Sequence, residues 1–109
     1  MIMREIPFEV TDWSTVERTE HLGAAGLAYW RTQTFGDVRV RIVEYSAGYL
    51  ANHWCRKGHV VFCLEGSLET ELADGRKFEL SPGQSYQVGD DAGAHRSSTI
   101  SGARLLIVD

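Results

Sequence analysis

The stretch YLANHWCRKGHVVFCLEG, residues 49–66, holds two of the four histidines and both cysteines of the chain. If residues 51–55 form a strand, side chains alternate between its two faces, so His53 and Cys55 share a face. A three-residue loop after Cys55 then makes a hairpin that places His59 opposite it. Opposed Cβ atoms lie about 4.5 to 5.5 Å apart, and His53 lies diagonally within about 8 Å. The pattern predicts three metal donors on one patch, and it also fits the half-buried lining of a sheet.

The second cysteine, Cys63, lies in the apolar run VVFCL and is predicted to be part of the core. The same hairpin register places Cys63 opposite Ala51, about 13 Å along the sheet from Cys55. A disulfide needs Cα atoms within about 7 Å of each other. We therefore expect two free thiols.

Outside this stretch, apolar and polar residues alternate between turns rich in Gly, Asp and Pro, and helical periodicity is weak. The turn at residues 73–75, Ala-Asp-Gly, is a strong hairpin signal. The best helical candidate, TDWSTVERTEH, has Ser14 and Glu17 at capping-box spacing but is long enough for only a turn or two. The sequence therefore predicts one all-β domain over residues 1–109, either a sandwich or a barrel.

Strand alternation after the break at residues 36–37 puts Val38, Val40 and Ile42 on one face. Arg39 and Arg41 fall on the opposite face. The favoured interpretation for these two arginines is solvated surface rather than a pocket.

Eleven basic and fifteen acidic residues give a formal net charge of −4, and the basic residues are scattered along the chain. Nucleic-acid binding needs a positive stripe, so this class of partner is excluded. No apolar run approaches the roughly 18 residues of a membrane span. Arg4, Glu5 and Pro7 interrupt the apolar core that a signal peptide would need. We expect a cytoplasmic protein with neither nucleic acid nor membrane as a partner.

The N-terminal third of the chain carries Phe8, Trp13 and Trp30. These side chains offer more apolar surface than one small barrel readily covers. Because most oligomers of small proteins are symmetric, we expect a homodimer.

The segment from Gly48 to Gly66 resembles the first cupin motif, in which a glycine precedes His-x-His, a glutamate follows, and a second glycine comes six residues later. In this sequence His53 stands at the first histidine, Cys55 at the second and His59 at the glutamate. The later stretch GQSYQVGDDAGAHRSS resembles the second cupin motif. There Gly83 takes the leading glycine, Gly89 replaces the usual proline, and His95 takes the histidine.

More narrowly, ANHWCRKGHVVFCLEG, together with IPFEVTDWSTVERTEH and RIVEYSAGYL, is similar to the small bacterial DHCW-motif cupin-fold proteins. The resemblance covers nearly the whole chain, with Asn52 where that group has an aspartate. It implies a double-stranded β-helix, a jelly-roll-type antiparallel barrel, with a short N-terminal extension. A cupin fold alone does not imply one function.

In cupins the metal lies inside the barrel between the two motifs, so the resemblance implies the ligands His53, Cys55, His59 and His95. Three imidazoles with one thiolate favour zinc or iron(II), with nickel and copper also possible. If Cys55 is a ligand, four protein ligands close a zinc site. If it is not, three histidines leave positions open to a substrate and O₂.

Side chains near His95 are candidates for a small polar pocket. Ser97 and Thr99 follow it at period two, and Tyr86 and Val88 share a face of the preceding strand. Hydroxyl groups on a strand are about as often bonded to the backbone, so that alternative stays open.

The predicted function is a small cupin that binds a metal or a small molecule without turnover, which a closed four-ligand site would favour. The alternative is a metal-dependent enzyme of the dioxygenase type acting on a small metabolite, which needs an open coordination position. The catalytic residues are unknown: Glu65 lies in line with His59 as a minor candidate for an acid or base, with exposure at the strand end favoured, and nothing in the sequence identifies a substrate.

Overall fold

Nine β-strands and one short 3₁₀ helix form the regular structure of residues 3–109, which are the residues that the computed structural model describes. None of the helical structure in this range has the length or apolar character needed to cross a membrane. In chain order the elements are the 3₁₀ helix Trp13–Thr15 and the strands β1 (Arg18–Leu22), β2 (Leu27–Phe35), β3 (Val38–Tyr45), β4 (His59–Gly66), β5 (Leu68–Leu72), β6 (Lys77–Leu80), β7 (Ser85–Val88), β8 (His95–Ser98) and β9 (Ala103–Val108).

The strands form two antiparallel sheets that enclose one core, as a jelly-roll-type barrel requires. The larger sheet has six strands in the order β1-β2-β3-β9-β4-β7, and the smaller has three in the order β6-β5-β8. Isolated bridges join Leu50 to Ser98 and Cys55 to His95, so the extended segment before β4 runs along the outer side of β8. The all-β cupin-type architecture predicted from the sequence is confirmed.

The core consists of inward-facing residues from both sheets. Val61 and Cys63 on β4 and Leu105 on β9 are at most 2% exposed, and Leu68 and Leu80 come from the smaller sheet. Each fully buried branched side chain contributes about 1.5 to 3 kcal/mol to folding. The prediction that Cys63 belongs to the core is confirmed.

The chain crosses from the larger sheet to the smaller one at Gly66. This residue has φ +75°, and a Cβ atom there would lie 2.1 Å from the carbonyl oxygen of Gly102. Only glycine has both the conformational freedom and the missing side chain that such a crossing needs.

The sequence predicts the wrong inward face for most of strand β3, although Val38 at its start is only 3% exposed. Val43 is fully buried and Arg41 is 7% exposed, so alternation places Val40 and Ile42 on the outer face. The expectation of a solvated Arg41 is wrong. Alternation defines two faces but not which one faces the core, and the buried arginine is paired with the carboxylate of Asp109.

Residues 51–55 do not form the predicted hairpin with β4. The backbone N–H of Cys55 donates to the carbonyl of His95 at 2.7 Å, and that of His95 donates to the carbonyl of Cys55 at 3.0 Å. Cys55 is therefore opposite His95 rather than His59, because β4 pairs with β7 and β9 and leaves no free edge for this segment. Cys63 likewise pairs with a residue of β9. Both cysteines are free thiols, as expected.

Two turn signals had different outcomes. The hairpin at residues 73–75 is confirmed, since it joins β5 to β6. The capping box is not: Asp12 caps the 3₁₀ helix by accepting a hydrogen bond from the backbone N–H of Ser14 at 3.0 Å. Residues 18–21, at the end of the predicted helical segment, belong instead to β1, whose backbone pairs with β2.

Candidate metal centre

Three potential metal donors meet inside the barrel where the two sheets approach each other. His59 begins β4, His95 begins β8, and Cys55 lies on the extended segment bonded to His95. Their ligand atoms all lie within 4.8 Å of one another. Two imidazoles and a thiol at this separation are a donor set that transition metals accept.

A hydrogen bond fixes the ring of His95 so that its other nitrogen is available to bind a metal. His95 is 3% exposed, and its Nδ1 lies 2.9 Å from the carbonyl oxygen of Gly93. A carbonyl only accepts hydrogen bonds, so Nδ1 carries the proton and Nε2 carries the lone pair. This second contact fixes the tautomer, as in known histidine ligands of metals.

The ring of His59 faces the same point. Its Nε2 lies 2.8 Å from Nε2 of His95 and 3.1 Å from the hydroxyl of Tyr86. Burial, aided by the charges of His95 and Arg41 and opposed by Asp109, lowers the pKa of His59 to about 4. The imidazole is therefore neutral near pH 7, which is the form that binds metals.

The other nitrogen of His59 makes no hydrogen bond. Nδ1 is buried without a hydrogen-bond partner and lies 3.8 Å from a carboxylate oxygen of Asp109. When Nε2 gives its lone pair to a ligand, the ring proton sits on Nδ1 and faces this carboxylate. Such a carboxylate behind a histidine is a common feature of metal sites. The contacts of His95 with Gly93 and of His59 with Asp109 therefore fit a metal ion bound at the Nε2 atoms of both rings.

His53 is not in this group. Residues 52–53 form a bend and Trp54 is irregular, so this segment is not a strand and the alternation argument does not hold here. The His53 side chain is exposed, and its Nδ1 lies 2.7 Å from the side-chain oxygen of Asn52. The residue lines the same cavity as Cys55, His59 and His95, and its role as a metal ligand stays a prediction.

A cavity of about 380 Å³ opens beside the three donors. Sequence reasoning missed all five of its charged residues, which are Arg39, Arg41, Lys57, Arg96 and Asp109. Arg39 and Arg41 are both expected on the surface from the sequence, and Asp109 carries no signal, since a single carboxylate after an apolar strand is ordinary. The side chain of Asp109 is fully buried and accepts two hydrogen bonds from Arg39, at 2.8 and 2.9 Å.

The predicted polar pocket is present in part. Tyr86 and Ser97 line the cavity, whereas Val88 does not. Thr99 is buried, and its hydroxyl donates to the carbonyl of Ser67 at 2.7 Å and accepts from the N–H of Gly102 at 3.0 Å. Its hydroxyl therefore has the backbone role that was the open alternative.

No protein-family model matches the sequence, and no curated protein matches it at a significant level. Solved structures do resemble it. The polyketide cyclase RemF from Streptomyces resistomycificus is 21% identical, with a TM-score of 0.77 over 94% of this chain and 78% of that chain.

Two further neighbours agree. Ectoine synthase from P. lautus is 19% identical, with a TM-score of 0.75 over 93% of this chain and 76% of that one. An RmlC-like cupin from Shewanella frigidimarina is 17% identical, with a TM-score of 0.72 over 95% and 91%. At these identities the likeness concerns the fold alone, and the fold of this chain is that of the cupins.

Proposed function

We propose that this chain is a single-domain metal-binding cupin in which Cys55, His59 and His95 hold a divalent transition metal. The observation that carries the proposal is the convergence of three donor atoms within 4.8 Å, one of them on a histidine whose tautomer is fixed by the carbonyl of Gly93. Soft sulfur with imidazole nitrogen favours zinc or iron(II), with nickel and copper as less favoured ions.

The protein residues around the donors have separate tasks. Gly93 orients His95, Asp109 faces the proton of His59, and the hydroxyl of Tyr86 lies beside the nitrogen that His59 offers. A bound metal would supply Lewis acidity at the wall of the cavity.

His53 is proposed as a fourth ligand on the strength of the motif resemblance. Asn52 holds it in its present place, because the Asn52 side chain contacts His53 through its oxygen and donates through its nitrogen to the carbonyl of Leu22 at 3.2 Å. An aspartate, which the DHCW-motif group has at this position, cannot make the second bond. We retain that group as the proposed relationship of the chain.

The second candidate function is a metal-dependent oxygenase-type enzyme. It is favoured by the cavity beside the donors, which leaves room for a small molecule. Three protein ligands leave coordination positions free, and catalytic metal sites need at least one. The structural neighbours are named as a polyketide cyclase, an ectoine synthase and an RmlC-like cupin. These names do not share one reaction, so the substrate does not follow from the fold.

The deciding experiment is a titration of chelator-treated protein with Zn(II) and Fe(II), followed by X-ray absorption at the metal edge. We expect sulfur and the imidazoles of His59 and His95 among the atoms bound to the metal, with a third imidazole where His53 is the fourth ligand. His95→Ala should lose at least about tenfold in affinity, because it removes one ligand from a small set. His21→Ala is the matched control, since His21 stacks on Trp30 away from the donor group. Wild-type protein that binds neither ion would contradict the proposal.

We also propose that the protein is a cytoplasmic homodimer. The outer face of the central strands supports the dimer, because paired residues of β3, β9 and β4 form two adjacent apolar rows. The sequence argument for a dimer, which relied on exposed aromatic residues near the N-terminus, was partly wrong. Trp30 packs against the core rather than on the surface, whereas Phe8 is 97% exposed. The two rows are Val40, Val108 and Val60, and Ile42, Leu106 and Phe62.

A further inference from the structure

The cavity beside the metal donors carries more positive than negative charge. Its lining includes Arg39, Arg41, Lys57 and Arg96, whereas Asp109 is the one carboxylate among the lining residues. Arg96 contacts a glutamate outside the cavity, Glu71, at 3.6 Å, which leaves three cations to share one anion. A metal ion bound at the donors would add to this excess.

Arg41 is the most buried of these cations, and its charge is only partly compensated. Its side chain is 8% exposed, and its guanidinium carbon lies 4.6 Å from the ring centroid of Trp30. Its Nη2 donates to Asp109 at 3.2 Å, but both oxygens of that carboxylate already accept from Arg39. Nε of Arg41 is buried without a partner. A buried cation with an unused donor costs free energy unless another group supplies the bond.

The same contacts determine the charges of Asp109 and Arg41. Burial raises the pKa of the Asp109 carboxyl, but the hydrogen bonds from Arg39 and the charges of Arg41 and Arg39 outweigh it, so the pKa lies below its usual value. Asp109 is thus a full anion. Burial and the neighbouring Arg39 lower the pKa of Arg41 below its ordinary value, as expected for a buried cation whose charge is only partly compensated.

We propose that this cavity is the binding site for a small organic carboxylate, with Arg41 as its main anchor. A guanidinium presents parallel N–H donors that match the two oxygens of a planar carboxylate, whereas an ammonium does not. The inference deepens the proposed function and rests on it for any reaction at the metal, while the binding of the acid is a property that can fail or succeed separately.

The rest of the cavity indicates what the carboxylate would be attached to. Trp30, Tyr45, Tyr49 and Tyr86 supply aromatic walls, with Leu105 among the aliphatic ones. Burial raises the pKa of Tyr86 and of Tyr45 above the usual phenol value, so both remain neutral and can donate hydrogen bonds. The volume of about 380 Å³ lies at the low end for small-molecule sites. An acid with a short apolar or aromatic body fits these walls.

The test uses calorimetry with a panel of monocarboxylates from acetate to 3-phenylpropionate, each paired with its uncharged primary amide. Both zinc-loaded and metal-free protein are measured. We expect at least one acid to bind at millimolar concentration and about tenfold more tightly than its amide. Equal binding of acid and amide, or no binding by any acid, would overturn the inference.

Variants test the anchor. Arg41→Gln should lose at least about tenfold in acid affinity and Arg41→Lys an intermediate amount, because the lysine keeps the charge but not the paired donors. Arg104→Gln is the control, since Arg104 pairs with Glu44 and Glu65 on the exterior. If Arg41→Gln does not fold, the acid–amide comparison and Arg41→Lys carry the test. Unchanged binding in Arg41→Lys would then count against the anchor.

Two further arms separate the possible failures. Inorganic phosphate that binds more tightly than every acid would overturn the assignment to carboxylates. Zinc titration of the same proteins tests the metal site by itself. If zinc binds and no acid does, only this inference fails. If an acid binds through Arg41 and zinc does not, only the proposed metal function fails.

Discussion

The Nε2 atoms of His59 and His95 lie 2.8 Å apart, although the two residues belong to strands of different sheets. Nε2 of His95 carries a lone pair, since its Nδ1–H is used by the carbonyl of Gly93. In the metal-free protein, His59 must therefore donate its Nε2–H to His95. A metal ion bound between the two nitrogens would replace this proton. The link between the two sheets is therefore a proton in the metal-free protein and a metal ion in the metal-bound protein.

Cys55→Ser should reduce zinc affinity by about ten- to a hundredfold, because a hydroxyl is a poor substitute for a thiolate ligand. Cys63→Ala is the matched control, since Cys63 is fully buried in the core and outside the donor group. It should cost some stability but leave zinc affinity intact. Competition with a colorimetric chelator measures both. Retained zinc affinity in Cys55→Ser, with altered reactivity of the iron form toward O₂, would favour the enzyme instead.

His53→Ala should reduce metal affinity less than His95→Ala does. The reason is that His53 is exposed and bonded to Asn52, whereas His95 is buried with its ring held in place. The same chelator assay compares the two variants. Losses of equal size would show that His53 is a full ligand, and an unchanged affinity would remove it from the site.

The stability of the metal-free protein should fall as the pH is lowered from about 6.5 to about 4. The folded-state pKa of His59, about 4, lies below the ordinary value of 6.5, so the unfolded chain takes up this proton first. The neutral His59 ring therefore contributes roughly 2 to 3 kcal/mol to the free energy of unfolding above pH 6.5, and this contribution is lost as the pH falls to about 4. Urea unfolding across this range, in chelator, measures it. His59→Gln should lack this part of the pH dependence, and identical slopes would contradict the assignment.

Gly66→Ala should destabilise the fold by roughly 3 kcal/mol or more. A Cβ at this position would meet the carbonyl oxygen of Gly102 at 2.1 Å in addition to the strain of a positive φ. Gly75→Ala is the matched control, because Gly75 also has a positive φ but nothing within 4 Å of its Cβ position. It should cost only about 1 kcal/mol. Thermal unfolding of the two variants separates the clash from the backbone strain, and equal losses would exclude the clash.

Light scattering at micromolar concentration should give the mass of a dimer. Phe62→Glu places a charge in the apolar rows of the outer face and should give the monomer mass. Ile100→Glu is the control, because Ile100 is 87% exposed and lies outside those rows. A wild-type protein with the monomer mass would remove the dimer proposal.

The sequence predicted the all-β fold well, because alternation between polar and apolar residues reports directly on strands with one buried face. It did not predict which face of β3 is buried. Two arginines among valines look like a solvated face, and the compensating carboxylate, Asp109, lies 68 residues from Arg41 in sequence. Ion pairs at that separation leave no local pattern.

The metal site was predicted only in part, and the reason differs from the one that applies to β3. Cys55 and His59 were brought together by a hairpin register that does not exist, and the true neighbour of Cys55 is His95. His95 came from the motif resemblance, since local spacing cannot relate residues 40 positions apart. A bend at residues 52–53, which alternation cannot foresee, displaced His53 from the group.

The central position of β9 has a consequence for how the chain acquires its structure. β3 and β4 do not touch each other in the larger sheet, and each is hydrogen-bonded to β9, residues 103–108. A nascent chain that has been synthesised only as far as Ser98 must therefore leave both strands with open edges, which invite aggregation. The larger sheet can close only after residues 103–108 have been synthesised, and because these contacts are so distant in sequence, its closure is slow.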